Sequence, residues 1–377
     1  MSNITDNLWK NKANVFSFKN MQKGNTLLLR ILLFPFSFLF GVVTCLRNKL
    51  YDWKMIPSVQ YDDVCVISVG NITVGGTGKT PFVEFLVRLL SQNYRVAVLS
   101  RGYKRATKGF LFVGEHTTPG TAGDEPYQIK QKFPDISVAV DANRIRGIAN
   151  IRKAFPDVQV ILLDDAFQYR KIKPNLSILL ADYHRPLYRD VMLPGGRLRE
   201  WAFFAKRADI MAVTKSPAGI SPEEQQKIKK RYARIFPKDI VFSTIGYGLP
   251  KAVFSNSKPL SISDLNKCAV LLITGISHPQ PFEDYLRQFA ASVQALRFPD
   301  HHAFSEKDVV RITEKWNTMA SKDKVLITTE KDAVRLQQTK IPDAIAERAY
   351  YVPIEVKFSD DTYVPFITSS LPKPTNY

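Results

Sequence analysis

The sequence VCVISVGNITVGGTGKTP, residues 64–81, joins an apolar run to a glycine-rich turn that ends in Gly-Lys-Thr. The run is short, rich in valine and isoleucine and does not alternate, which is typical of a strand buried on both faces. The amphipathic pattern of residues 81–90 follows at once and predicts a helix. A buried strand, a glycine-rich turn and a helix in this order form the setting of a phosphate-binding P-loop.

The residue types in this turn suit the binding of a nucleotide phosphate. Glycines let backbone N–H groups curl around an anion, and the N-terminus of the following helix adds its positive dipole end. Lys79 is placed to reach the β- and γ-phosphates, and the Thr80 hydroxyl is a candidate Mg²⁺ ligand. We therefore predict that nucleotide is bound by a continuous loop of residues: Thr73, Val74, Gly75, Gly76, Thr77, Gly78, Lys79 and Thr80.

One position of the loop departs from the usual spacing. The P-loop pattern has a glycine five residues before Gly78, and Thr73 stands there instead. The alternative interpretation is a glycine-rich turn that binds no nucleotide. The strand before the turn and the helix after it favour the P-loop.

A P-loop site also needs an acidic residue on a neighbouring strand to order Mg²⁺. Residues 160–163 form an apolar run that ends in two carboxylates, Asp164 and Asp165. An Asp pair after a strand is often only a turn or a helix cap. Beside a P-loop, we favour the interpretation that both residues order the metal ion.

Short apolar runs alternate with amphipathic stretches along most of the chain. This alternation predicts an α/β fold with a P-loop NTPase-like, doubly wound and mostly parallel sheet. The further predicted strands of this core are residues 96–100, 136–140, 158–163, 176–181 and 210–213. A second series, residues 269–274, 293–298, 325–329 and 350–354, predicts a second, smaller α/β domain. We assign residues 55–248 to the P-loop core and residues 249–377 to the smaller domain.

The composition limits the class of protein. A chain of 377 residues suits two or three domains, and 45% hydrophobic with 23% charged residues excludes a disordered chain. The net charge of +18 favours an anionic partner. No zinc-finger spacing or ribonucleoprotein aromatic motif accompanies this charge, so we expect no nucleic-acid partner. Three widely spaced cysteines indicate a reducing compartment and neither a disulfide framework nor a metal cluster.

Residues 1–54 form a basic and apolar N-terminal segment. Residues 31–46 carry no charge, whereas residues 1–60 hold eight Lys and Arg against two Asp. A sixteen-residue helix covers about 24 Å, less than the roughly 30 Å hydrocarbon core, and Pro35 would kink it. The alternative is a buried core helix. Phe and Leu on all faces between basic flanks favour a membrane-associated helix, anchored or half inserted, on an anionic membrane surface.

Several further blocks accompany the P-loop run: SRGY at 100–103, GDEP at 123–126, DDAFQ at 164–168, LPGGRLRE at 193–200, TGI at 274–276, FPDHH at 298–302 and TEKDA at 329–333. Together they resemble the tetraacyldisaccharide 4′-kinase family, the lipid A kinases of Gram-negative bacteria. The blocks cover most of the chain in the family's order. The form of the P-loop that has Thr73 in place of glycine is the form found in this family. Tyr169 is a departure, because the family often has histidine there.

The resemblance implies an enzyme on the cytoplasmic face of the inner membrane. It would use Mg²⁺ and transfer the γ-phosphate of ATP to the 4′-hydroxyl of an acylated glucosamine disaccharide phospholipid, the tetraacyldisaccharide 1-phosphate. Asp124 matches the family's proposed general base, assisted by a histidine for which we favour His301 over His302. The remaining implied active-site positions are Arg144, Arg199 and Glu200, with Tyr103 near the phosphate loop. We expect the enzyme to be a monomer.

The chemistry of phosphoryl transfer agrees with these roles. A carboxylate can take the proton of a sugar hydroxyl late in the transfer, and arginines stabilise the charge that spreads over the transferring oxygens. Each residue also has a plainer interpretation. Asp124 could cap the helix that begins near Pro126, the His pair could form a polar turn, and Arg144 could lie on a solvated basic face. The alternative function is a membrane-associated P-loop ATPase or GTPase without a lipid acceptor.

Overall fold

Two β-sheets organise the chain. The structure is a computed structural model and describes residues 26–257, 260–276, 278–300, 302–359, 363–369 and 371. A long helix, α1 (Thr26–Asp52), precedes a sheet of nine strands, and a sheet of five strands follows later in the chain. Residues 1–25 of the predicted N-terminal segment lie outside the described residues.

The nine-stranded sheet is built mainly from the first two thirds of the chain. Its strands there are β1 (Cys65–Gly70), β2 (Val96–Ser100), β3 (Leu111–Phe112), β4 (Ser137–Val140), β5 (Val160–Asp164), β6 (Leu176–Asp182), β7 (Ile210–Thr214) and β8 (Ile240–Tyr247). The helices between them are α2 (Lys79–Leu90), α3 (Pro119–Ala122), α4 (Asp124–Lys132), α5 (Arg144–Ala154) and α6 (Pro222–Tyr232), with 3₁₀ turns at Leu187–Arg189 and Ala202–Arg207.

The five-stranded sheet has the order β11-β10-β12-β13-β9. Its strands are β9 (Lys251–Ala252), β10 (Ala269–Thr274), β11 (Ser292–Arg297), β12 (Lys324–Thr329) and β13 (Ala349–Val352). The helices that accompany them are α7 (Ile262–Leu265), α8 (Gln280–Arg287), α9 (Glu306–Asn317), α10 (Glu330–Leu336) and α11 (Asp343–Ala346). The chain then enters β14 (Ile354–Phe358) and α12 (Tyr363–Ser369).

The strand order of the large sheet is β14-β8-β7-β6-β1-β5-β2-β4-β3. All pairs from β8 to β4 are parallel, whereas β14 and β3 pair antiparallel at the two edges. This confirms the predicted α/β class with a mostly parallel sheet. Strand β1 lies between β5 and β6, with Val69 opposite Asp164. The carboxyl ends of β1 and β5 therefore meet at one edge of the sheet, where ligands of such folds bind.

Both faces of β1 are buried, which explains why its sequence does not alternate. Ile67 and Val69 share one core cluster with Leu86 of α2. Val66 points the other way and shares a second cluster with Ile148 of α5. A strand with a helix on each face needs apolar residues at every position.

The structure differs from the sequence prediction at the end of the chain. Residues 350–354 were expected to form one strand, and residues 249–377 one smaller domain. The chain instead changes sheets at Pro353, so that β13 stays in the small sheet while β14 pairs with β8 in the large one. Proline has no N–H to donate and suits a break between two strands. Strands β3, β8 and β9 were not predicted.

Helix α1 is continuous from Thr26 to Asp52 and contains Pro35. Residues Arg30–Asp52 are long and apolar enough to cross a membrane by length and composition alone. The helix is not a buried core helix, because most of its apolar side chains are exposed. It is also not exposed on all faces. A stripe of one face packs on the rest of the protein through Ser37, Gly41, Asn48 and Tyr51.

Candidate active site

The predicted phosphate loop connects the end of β1 to the start of α2 at Lys79. Gly75 and Gly78 have φ angles of 112° and 80°, a region that side chains with a Cβ rarely adopt. Thr73 lies outside that region, and its backbone forms an antiparallel bridge with Leu198. Residue 73 therefore needs no glycine, which explains the departure from the usual spacing.

Three residues from the carboxyl ends of β6 and β7 support this loop, and the sequence analysis did not identify them. The Thr214 hydroxyl donates to the carbonyl of Thr77 at 2.8 Å. The Lys215 ammonium donates to the carbonyl of Gly76 and to Asp182 Oδ2, the latter at 2.8 Å. The carbonyl groups of the turn are thus bound from the β7 side. The sequence does carry one signal for these supporting residues, because Thr214 and Lys215 directly follow the predicted strand of residues 210–213.

Asp164 is the last residue of β5 and is 1% exposed. Its Oδ2 accepts a hydrogen bond from Ser100 Oγ at 3.1 Å, whereas Oδ1 has no hydrogen-bond partner among the described residues. Burial raises the pKa of Asp164 to about 7, and the negative charges of Glu125 and Asp165 add to this effect. A buried carboxylate oxygen without a partner is costly unless a cation binds it.

Asp165 faces the phosphate loop. Its Oδ1 lies 3.7 Å from Lys79 Nζ and 3.1 Å from Arg199 Nη2. Burial raises the pKa of Asp165, but the two cations outweigh burial, so this pKa lies below its usual value. Arg199 also donates to the backbone carbonyl of Asn71 at 3.3 Å. The structure therefore brings together three of the predicted site residues in one ion cluster.

The oxygen atoms at this edge of the sheet fit a magnesium ion. Mg²⁺ prefers hard oxygen ligands and usually takes one or two carboxylates together with waters and substrate phosphates. The unpartnered Oδ1 of Asp164 and the Thr80 hydroxyl at the start of α2 supply such ligands. Within the described part of the chain, no group of three or more His, Cys, Asp or Glu residues could hold a metal by itself. Such a site would need the phosphates of a nucleotide.

Arg144 lies behind the acid pair and is 2% exposed, so the solvated-face interpretation is wrong. Its Nη1 donates to the carbonyl of Asp141 at 2.8 Å and its Nη2 to the carbonyl of Asp164 at 3.2 Å. Burial lowers its pKa to about 10. Tyr169, which replaces the family's histidine, accepts a hydrogen bond from the Arg144 amide through its hydroxyl at 3.1 Å. Arg144 thus braces the backbone that carries the acids.

Glu200 is buried and contacts the acid-bearing loop indirectly. Its Oε2 accepts from Arg207 Nη2 at 2.7 Å. The Arg207 guanidinium lies 4.6 Å from the ring centre of Phe167, two residues beyond Asp165. The neighbouring Arg199 and Glu200 therefore reach the same loop from two directions.

Asp124 begins α4, and the helix-cap interpretation is wrong. The N-cap is Gly123, with a φ of 96° and no side-chain cap. The Asp124 Oδ2 instead accepts two hydrogen bonds from Arg335, at 2.5 Å from Nη2 and 3.2 Å from Nε. Arg335 belongs to α10 beside the small sheet, and the sequence analysis did not identify it. The TEKDA block ends two residues before it.

The family described as tetraacyldisaccharide-1-P 4′-kinase matches residues 29–371. The chain belongs to this family. The tetraacyldisaccharide 4′-kinase of Parabacteroides distasonis is 45% identical over 347 residues, which are 90% of this chain and 94% of that protein. The same enzyme of Flavobacterium johnsoniae is 44% identical over 331 residues, which are 88% and 93% of the two chains.

A solved structure shares the fold. The crystal structure titled as the "apo" form of LpxK from Aquifex aeolicus in complex with ATP covers 91% of this chain and 100% of its own. The TM-score is 0.72 at 29% identity. This chain is thus a 4′-kinase of lipid A biosynthesis, which transfers phosphate to a hydroxyl of a lipid disaccharide. The alternative of an ATPase or GTPase without a lipid acceptor is wrong.

The roles of all predicted site residues of this 4′-kinase stay predictions, including those of the two histidines and Tyr103. His301 lies outside the described residues. His302 Nε2 lies 2.9 Å from Asp308 Oδ2, and its ring stacks on Phe298. Tyr103 has an exposed side chain, and its backbone carbonyl lies beside Gly123, 3.3 Å from an ideal Cβ there. Its expected position near the phosphate loop is therefore untested.

Proposed function

We propose that the phosphate donor of this 4′-kinase is ATP, held with Mg²⁺ on the loop of residues 73–80, and that Asp124 is the general base. The observation that carries the proposal is the meeting of three charged groups at one sheet edge. Lys79 and Asp165 form an ion pair there, and the buried Asp164 keeps one oxygen without a partner. Glu125, the residue after Asp124, raises the pKa of Asp164 through its charge, so α4 begins close to this edge.

The residues of the chain divide the work of transfer. Loop N–H groups and the Lys79 ammonium would hold the β- and γ-phosphates in line with the acceptor. Thr80, Asp164 and Asp165 would order the metal ion, which when bound neutralises charge on the phosphate oxygens. Arg199 is positioned to stabilise the charge that develops on the γ-phosphate. Arg144 and Glu200 would act indirectly, because they stabilise the loop that carries the two acids.

Asp124 would accept the proton of the sugar 4′-hydroxyl while the hydroxyl oxygen forms its bond to the γ-phosphorus. The bond from that phosphorus to the bridging oxygen breaks, and ADP leaves with the electron pair. His301 would assist by orienting this carboxylate. The engagement of His302 with Asp308 supports the choice between the two histidines. Tyr103, exposed beside Gly123, is proposed to contact the bound nucleotide.

Helix α1 is proposed to lie in the membrane interface without spanning the bilayer. Its buried stripe is fixed to the catalytic unit, because Gly195 N donates to Ser37 Oγ at 2.9 Å and Arg170 donates to the Asn48 carbonyl at 2.6 Å. A helix packed along one face on a polar domain cannot meet lipid on every side. The opposite face exposes apolar side chains suited to lipid: Ile31, Leu32, Phe34, Phe36, Phe38, Leu39, Val42, Val43 and Leu46.

This geometry supports a place on the cytoplasmic face of the inner membrane, where ATP is available and the substrate's acyl chains stay in lipid. The basic residues near α1 would meet anionic headgroups. We also propose that the enzyme acts as a monomer.

A transfer assay tests the proposal. Purified protein receives Mg²⁺, γ-labelled ATP and tetraacyldisaccharide 1-phosphate in mixed micelles, and a sample without lipid is the ATPase control. We expect label on the lipid, its loss without Mg²⁺, and retained ATP binding with lost transfer in Asp124→Asn. Transfer at the wild-type rate by Asp124→Asn would exclude this residue as the base. Lost ATP affinity in that variant would indicate a structural or metal-ordering role instead.

A further inference from the structure

Helices α4 and α10 pack against each other between the two sheets, with an ionic contact at each end. At one end, Lys132 Nζ lies 3.0 Å from Glu330 Oε2 and 2.6 Å from Glu84 Oε2. At the other end, Arg335 Nη2 lies 2.5 Å from Asp124 Oδ2. The last residue of α4 thus meets the first of α10, and the first residue of α4 meets one near the end of α10.

Arg335 is itself fixed from behind. Its side chain is 6% exposed, and its Nη1 lies 3.1 Å from Asp332 Oδ1. Asp332 is fully buried, and its Oδ2 accepts from the Gly275 amide at 2.8 Å and from Thr329 Oγ1 at 2.7 Å. A continuous chain of hydrogen bonds therefore runs from the carboxyl ends of β10 and β12 through Arg335 to Asp124.

We propose that Arg335 is a positioning residue for the transfer reaction, which orients the Asp124 carboxylate and ties that orientation to the seating of the small sheet on α4. This inference rests on the proposed role of Asp124 as the base. In this proposal Arg335 acts on the reaction by holding Asp124.

The geometry explains why an arginine stands here. Asp124 is the first residue of its helix and follows Gly123, an N-cap residue of positive φ that has no side chain. Two guanidinium N–H groups on one carboxylate oxygen define the direction of that group, which a single ammonium does less well. A general base needs this precision, because a misplacement of about 1 Å can lower the rate about 100-fold.

The ionic contacts at the two ends of the α4–α10 pair differ in their distance from the proposed base. Lys132 also joins α4 to α10, through Glu330, and it joins α4 to α2 through Glu84, but it lies at the end of α4 remote from Asp124. It supplies a matched control, since its loss weakens the same interface without touching the base. The comparison separates a positioning role from a contribution to stability alone.

The experiment compares Arg335→Met, Arg335→Lys and Lys132→Met in the full chain, in the micellar transfer assay. We expect Arg335→Met to lower kcat by about 30- to 100-fold with the KM for ATP changed less than about threefold. Arg335→Lys should recover about a tenth to a third of the wild-type kcat. Lys132→Met should lower the thermal midpoint at least as much as Arg335→Met, yet change kcat less than about threefold.

A double variant separates failure of this inference from failure of the proposed function. In an Asp124→Asn background, Arg335→Met should reduce the residual rate by less than about twofold, because the two residues act as one unit. A full, independent loss in that background overturns the inference, as does a wild-type kcat for Arg335→Met. Transfer at the wild-type rate by Asp124→Asn alone would instead overturn the proposed base. If Arg335→Met does not fold, the kcat of Arg335→Lys decides, and an unchanged value overturns the inference.

Discussion

Asp164 and Asp165 are adjacent in the sequence, yet their carboxyl groups meet opposite electrostatic surroundings. Burial raises the pKa of Asp164 to about 7, whereas Lys79 and Arg199 outweigh burial and hold the pKa of Asp165 below its usual value. The cause is the end of β5, because Asp164 still points into the sheet while Asp165, with a φ of 47°, turns toward the loop. Paired acids whose pKa values are pushed apart are typical of active sites.

Replacing Asp164 with Asn should raise the Mg²⁺ concentration required for half-maximal transfer about tenfold or more. The reason is that a neutral amide replaces the carboxylate whose Oδ1 has no partner among the described residues. The thermal midpoint without nucleotide should not fall, since the variant removes a buried carboxyl group. A magnesium titration of the transfer rate and a melting curve check both results. Asp157→Asn, at an exposed carboxylate beside Arg95, is the control. An unchanged magnesium requirement would remove Asp164 from the metal site.

Lys79→Ala should lower the transfer rate by about 1,000-fold or more, because it removes the ammonium group that pairs with Asp165 and that is proposed to hold the β- and γ-phosphates. Lys153→Ala changes an exposed lysine on α5 and should leave the rate unchanged. Single-turnover transfer and ATP binding by calorimetry are the measurements. Wild-type turnover in Lys79→Ala would contradict the phosphate-loop assignment.

The local parts of this architecture were readable from the chain, and the long-range parts were not. Strand β1, the loop and the acids of β5 are contiguous patterns, because burial of both strands on two faces leaves short uninterrupted apolar runs that end in the loop and in the acid pair. The pairing of Arg335 with Asp124 joins residues 211 positions apart. Such a contact leaves no local pattern in the sequence, because it depends on how the small sheet and α10 pack against α4. The return of β14 to the large sheet was missed for the same reason.

Arg144 shows how burial changes the meaning of a residue. Its position among several basic residues predicted a solvated helix face, but its guanidinium is the brace of the Asp164 backbone. Composition cannot tell which turn of an amphipathic helix faces the sheet edge. The family resemblance did indicate this arginine, although it did not indicate the indirect contact that the structure shows.

Lys215→Met should raise the KM for ATP by about 5- to 10-fold while the KM for the lipid stays constant. The reason is the support that this ammonium gives to the Gly76 carbonyl and its ion pair with Asp182 at 2.8 Å. Steady-state kinetics with each substrate varied in turn check the split. Lys230→Met, at an exposed lysine of α6, serves as the control. Equal changes in both KM values would point to general unfolding of the site instead.

Phe38→Glu should weaken binding to anionic vesicles by about tenfold or more and raise the apparent KM for micellar lipid, with the KM for ATP unchanged. Phe38 is exposed on the side of α1 that is proposed to meet lipid, and burial of a phenylalanine contributes about 1.5–3 kcal/mol. Vesicle co-sedimentation measures the first effect. Val310→Glu places the same charge at an exposed apolar position of α9 and should not alter binding. Equal loss in both variants would contradict an interfacial role for α1.

Glu84 predicts a stability that depends on pH. Burial raises the pKa of Glu84 from 4.5 to about 7, with Glu330 adding to the rise and Lys132 and Gln128 opposing it. Between these two pH values the folded chain holds a proton that the unfolded chain has released. The free energy of unfolding therefore falls as the pH rises through this window, by up to about 3 kcal/mol between pH 5 and pH 8.

Glu84→Gln should remove this slope, because the amide can keep its contact with Gln128 or Lys132 but cannot titrate. Melting curves from pH 5 to pH 8 should show a smaller fall of the thermal midpoint in the variant than in the wild type, by about 2–5 °C. Glu115→Gln, at an exposed glutamate, should keep the wild-type slope. Parallel curves for Glu84→Gln and the wild type would show that Glu84 is ionised throughout this range and that its contact with Lys132 outweighs the effect of burial.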